Sequence, residues 1–151
     1  MKHCVRIVLT ACCICFAYCV SAQSSASTKK SLFHQYPAQL TCAAEQLDQL
    51  FNAGKGAKAS LDLSGNLRLE GTITHRISKY NQLETVGISL PAFDHILLSV
   101  TRRYDAQHQP VFAAQLMSPR HADGYLLSRQ KDGTYRFSKI STDELLPVCS
   151  H

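Results

Sequence analysis

The sequence has no tryptophan, and its six tyrosines and six phenylalanines are scattered over 151 residues. That spacing argues against a platform of aromatic rings on which bases or sugars could stack. Charge of one sign is also scarce: the net charge is +5, and the basic residues are dispersed, so nucleic acid is not an expected partner. No apolar run reaches the roughly 20 residues that a membrane-crossing helix needs. Catalytic and metal motifs are missing as well. There is no His-x-His, no His-Glu-x-x-His and no acidic calcium loop. Gly87-Ile88-Ser89-Leu90-Pro91 lacks the final glycine of a nucleophile elbow, and Pro91 stands where a helix would have to begin. No cofactor is indicated.

The first residues have the three zones of an export signal. Lys2 and Arg6 are positive, Ile7 to Val20 is apolar apart from Thr10, and Val20-Ser21-Ala22 offers small or β-branched residues for cleavage before Gln23. Residues 1–22 are therefore expected to be a signal peptide, leaving a secreted or periplasmic protein with no membrane span after cleavage. A lipid-anchored form through Cys12 is the alternative, because Leu9-Thr10-Ala11-Cys12 resembles a lipobox. Few apolar residues precede that cysteine, however. Five of the seven cysteines lie in this leader, and Cys42 and Cys149 remain. An even pair in an oxidising compartment reads as a disulfide. Closing a loop of about a hundred residues would stabilise the fold by up to ~4.7 kcal/mol.

Residues 23–40 read as a leader: Gln23 to Lys30 is Ser, Ala, Thr and Lys without periodicity, and Ser31 to Leu40 is transitional, with Phe33 and Tyr36 ahead of Pro37. One domain is expected over residues 41–151. Thr41 is placed to cap a helix from about Cys42 to Ala53, with Ala43, Leu47, Leu50 and Phe51 on one face and Gly54 and Gly56 stopping it. Beyond it the apolar period changes to two. Leu61 and Leu63, then Leu67, Leu69, Ile73 and Ile77, alternate with polar residues. A three-residue loop Ser64-Gly65-Asn66 sets Leu63 opposite Leu67 and Asp62 opposite Arg68, whereas a two-residue loop would mix the faces. Near the C-terminus a Lys131-Asp132-Gly133 loop pairs Leu127 with Phe137 and Arg129 with Tyr135. The shorter loop would set Arg129 against Arg136, two like charges. Leu83 to Leu90, His95 to Tyr104 and Pro110 to Met117 complete about seven strands, and Ser141-x-x-Glu144 opens a short helical turn ended by Pro147. The expected fold class is α+β: one N-terminal helix packed on a curved antiparallel β-meander that closes in part into a barrel. This is similar in outline to cystatin-like folds, but Gln82 is followed by Leu83-Glu84-Thr85-Val86-Gly87, not by the Gln-x-Val-x-Gly loop of those inhibitors.

The candidate site residues are few. His75 shares its parity with Leu69 and Ile73, so it is expected to point toward the apolar face, where an imidazole could serve as ligand or base. His121 and Asp123 lie two apart in a turn and could hold a metal with help from elsewhere. Arg129, Arg136, Lys131 and Lys139 could form an anion-binding patch near the last hairpin, with Arg129 over the Tyr135 ring. These features favour an exported binding or accessory domain whose partner is a protein or envelope component. A small hydrolase or metal-dependent enzyme using His75 or His121 is one alternative, and a structural envelope protein is another.

Overall fold

The computed structural model describes residues 29–80 and 82–145. The expected signal peptide with Cys12, and Pro147 and Cys149, lie outside the described residues. The Cys42–Cys149 pairing is therefore an expectation of the sequence. The strands run in chain order: β1 (Gln39–Cys42), β2 (Lys58–Leu63), β3 (Leu67–Lys79), β4 (Leu83–Leu90), β5 (Ile96–Tyr104), β6 (Pro110–Met117), β7 (Asp123–Arg129) and β8 (Tyr135–Ser141). Helix α1 (Ala44–Gln49) follows β1, and α2 (Thr142–Leu145) follows β8. All eight strands form one antiparallel sheet in the order β1-β8-β7-β6-β5-β4-β3-β2. The two outer strands then meet: Ser64 N–H donates to the Thr41 carbonyl at 2.9 Å, and Thr41 N–H donates to Ser64 Oγ at 2.7 Å. The sheet is thus a nearly closed barrel.

Both hairpin registers follow from side-chain alternation. Leu63 pairs with Leu67, Leu61 with Leu69 and Asp62 with Arg68. Leu127 pairs with Phe137 and Arg129 with Tyr135. Asn66 and Gly133 take the positive φ that these three-residue loops require, 59° and 85°. The apolar rows of the strands point inward and are almost wholly buried.

The helix differs from expectation in place and length. Cys42 ends β1 opposite Tyr135, and Thr41 is a strand residue, not a cap. Ala43 occupies the N-cap position without a side-chain bond, and its N–H is satisfied by Gln46 Oε1 at 3.3 Å. Six helical residues span about 9 Å, against a width on the order of 38 Å for eight strands. So short a helix does not cover the sheet; the sheet covers itself by curling. Instead α1 and the turn after it stop one end of the barrel. Leu47, Leu50 and Phe51 are buried there, with the Phe51 ring 6.1 Å from that of Phe112.

The opposite end is stopped by the segment read from sequence as leader, and this shifts the start of the domain. Phe33 is wholly buried, its ring 5.5 Å from Phe93 and 5.2 Å from Tyr125. Tyr125 donates its hydroxyl to the Pro37 carbonyl at 2.6 Å. Burial pushes that phenol up to about 12. An eight-stranded barrel is just wide enough for side chains to fill it, and the Phe33, Phe93 and Tyr125 rings at one end face the Phe51, Phe112 and Tyr135 rings at the other. If Phe33 is part of the core, Phe33→Ala should lower unfolding free energy by about 3–5 kcal/mol in urea titrations. A loss under about 1 kcal/mol would show that the segment is only laid against the barrel.

Candidate functional site

The outside of the barrel is divided by charge. On β2 and the first half of β3 it carries Lys58, Asp62, Arg68 and Glu70, with Arg68 Nε 3.3 Å from Asp62 and 2.9 Å from Glu70. Across β4 to β7 it carries almost none. Gly87, Ser99, Gln115 and Leu126 stand abreast, flanked on one side by Thr85, Thr101 and Ala113 and on the other by Ser89, Leu97 and Met117. The Thr85 and Thr101 hydroxyls bond each other at 3.0 Å, and a shallow groove of about 330 Å³ runs along Ser99, Thr101, Ala113, Gln115 and Leu126. Leu97 is 38% exposed in this strip. Interface cores are depleted of charge because desolvating an ion is costly, so this strip is the part of the exterior that a partner could cover most cheaply.

One irregularity sets the edge of that strip. Between Ile73 and His75 the pairing of β3 with β4 slips by a residue, so that Thr74 is extra; its hydroxyl donates to the Gly87 carbonyl at 3.1 Å. Such a bulge reverses the facing of all that follows. His75 therefore points outward, contrary to its parity in the sequence, and its half-buried ring lies over Gly87. A Cβ at Gly87 would stand 2.0 Å from His75 Cε1, so this glycine makes room for the ring. Ile77 turns outward too and is 46% exposed.

Arg76, by the same reversal, turns toward the barrel's helix end, where four charged side chains assemble. Arg76 Nη2 donates to Glu84 Oε1 at 3.0 Å, Arg102 donates to Glu84 Oε2, and Arg102 Nη1 donates to Asp48 Oδ1 at 2.7 Å. The Arg102 guanidinium also lies 4.5 Å from the Phe51 ring centroid. Arg102 and Arg103 are neighbours in the sequence and on β5. In the barrel Arg102 points in and ties α1 down, while Arg103 points out.

The remaining candidates are not brought together. Asp123 is buried, and its carboxylate accepts from Ser31 Oγ at 2.5 Å, Leu32 N at 2.6 Å and Phe33 N at 2.9 Å. It is a clamp on the N-terminal segment. His121 is only 5% exposed, with Nε2 3.4 Å from Asp94 Oδ2 and Nδ1 buried without a hydrogen bond. Among the described residues no three His, Cys, Asp or Glu side chains converge on one point. Arg129 is exposed, but the expected stacking on Tyr135 does not form. Tyr135 is buried and its hydroxyl accepts the Phe112 N–H at 3.1 Å. Arg136 is half-buried on the outer face between Thr41 and Ser128. Lys139 donates to the Phe33 and Tyr36 carbonyls, both at 2.7 Å, so it serves the plug and no anion patch. Cys42 faces the interior, where burial pushes its thiol up to about 12.

With the geometry known, comparison with other proteins adds nothing to it: the chain matches no protein-family model, no curated protein and no solved structure. No helix among the described residues is long and apolar enough to cross a membrane.

The charge cluster has a pH consequence. Hydrogen bonds from Arg102 and then Arg76 hold the Glu84 carboxyl below its ordinary 4.5. Its contribution is thus fully present above that value and is lost as pH falls through the depressed folded-state value. Urea midpoints measured from pH 6 to pH 3 should fall less steeply for Glu84→Gln than for the parent chain. Equal slopes would show that Glu84 gains nothing from its arginines.

Proposed function

We propose that the protein is an exported, non-enzymatic binding or accessory domain of the cell envelope or extracellular space. It would contact a protein or envelope partner through the uncharged outer strip of β4 to β7. The observation that carries this reading is the division of the barrel. Its interior is filled by its own side chains, which leaves the exterior for recognition, and the exterior concentrates its uncharged residues on one side. Export rests on the leader sequence, and oxidation in that compartment would join Cys42 to Cys149. Mass spectrometry of the mature protein should find a chain beginning near Gln23 with both sulfurs oxidised.

The binding reading has its own test. Leu97→Glu places a charge on the strip, between Ser89 and Met117, without touching the core. Mature protein immobilised against envelope extract should recover one reproducible partner, and Leu97→Glu should reduce that recovery about tenfold or more, the loss of a desolvated apolar contact replaced by a buried charge. Its thermal midpoint should stay near the parent's. A partner recovered equally by both chains would place recognition elsewhere, and none recovered in repeated trials would remove the reading.

A further inference from the structure

We propose that the outer edge of β3 from Thr74 to Lys79 is a strand-pairing site for an extended, acidic segment of a partner protein. This deepens the binding reading above by naming the chemistry of what binds.

On the side away from β4, the pairing of β3 stops early. Lys58 opposite Thr72 is the first pair of β2, and the bonds from Ile73 N–H to Ala57 O, 3.0 Å, and from Gly56 N–H to Ile73 O, 2.8 Å, finish the ladder. Thr74 to Lys79 continue the strand for six more residues, of which His75 to Lys79 are paired with β4 alone among the described residues. All of them are exposed except His75, which is half-buried. Six residues of strand make an edge about 20 Å long. Its unpaired main-chain groups are spaced for another β-strand and for little else. The outer sides of β1 and β2 approach each other at one point, through Thr41 and Ser64, just past the end of β2.

Two properties of the edge select its occupant. From Gly71 to Leu83 the chain contains no carboxylate, while it contains Arg76 and Lys79. Arg76 is neutralised by Glu84, which leaves the Lys79 ammonium on the outward row without an acidic partner among the described residues. A second copy pairing antiparallel about Ile77 would bring Lys79 beside His75 and Arg76 beside Ser78, with no acid on either strand, so self-pairing lacks any compensating charge. A partner strand with an acidic residue near Lys79 supplies that charge. Ile77 and the 91% exposed Tyr80 then offer it apolar surface.

The test uses the full mature chain and a blocked peptide of alternating valine and glutamate. Addition of the peptide should slow amide exchange at Thr74 to Lys79. Lys79→Glu, an exposed substitution, should weaken binding roughly threefold and favour the valine–lysine counterpart by a similar factor. N-methylating alternate amides on the pairing side of the peptide keeps its charge and should abolish protection, because the ladder cannot form. Protection confined to the outer strip around Ser99 would overturn the edge site and leave the binding reading standing. Equal binding of the methylated peptide, or no protection at millimolar peptide, would overturn the edge site as well.

Discussion

Closure of the sheet is the constraint on which the other features depend. Eight strands bury their inward rows only because β1 reaches back to meet the end of β2 at Thr41 and Ser64. A four-residue strand cannot hold that position by its own pairing with β8. It is held by what precedes it. The Asp123 carboxylate gathers Ser31, Leu32 and Phe33, Lys139 gathers two carbonyls of the same segment, and the Phe33 ring fills the end of the barrel. Residues that look like binding groups in the sequence are, at this end, spent on keeping the barrel shut.

The bulge at Thr74 governs the other end. Without it, His75 and Ile77 would enter the core and Arg76 would face solvent. With it, Arg76 joins Glu84, Arg102 and Asp48 beneath α1, and His75 covers Gly87 on the outside. The cluster is partly exposed, so its worth to stability is modest. Its larger effect is positional. Asp48 lies on a six-residue helix, and the Arg102 bond, together with the Phe51 ring under the guanidinium, fixes that helix across the opening.

Much of the sheet was legible in the sequence, because alternation has a period of two and a wrong loop length puts faces or charges in conflict. Leu63 against Leu67 and Arg129 against Tyr135 follow from that alone. The bounds of β4 and β6 coincide with the turn chemistry around them. The barrel's closing strand was not legible. Gln39 to Cys42 is short and runs directly into a helical stripe, so Thr41 reads as a cap and Cys42 as a helix residue. The bulge was equally hidden, since Thr74 is neither glycine nor proline and lies in an unbroken β-branched run. The clamp at Asp123 depends on residues some ninety positions earlier in the chain. No local pattern reports such a contact.

These two ends bear on recognition in different ways. At the plugged end the polar groups are consumed by closure: Asp123 has three donors, and His121 is turned into the protein beside Asp94. An imidazole so placed stiffens a corner more readily than it meets a substrate. At the helix end, the same bulge that sends Arg76 inward lies where β3 runs past Lys58, the first residue of β2, and among the described residues the far side of that extension is open. A bulge that served only to adjust packing would not need four exposed strand residues, Arg76 to Lys79, beyond it. The extension costs backbone entropy, of order 1 kcal/mol per residue, and among the described residues it recovers only the pairing with β4 and one ion pair. Among the described residues the compensation for ordering that ribbon is therefore small, and a pairing strand would add to it.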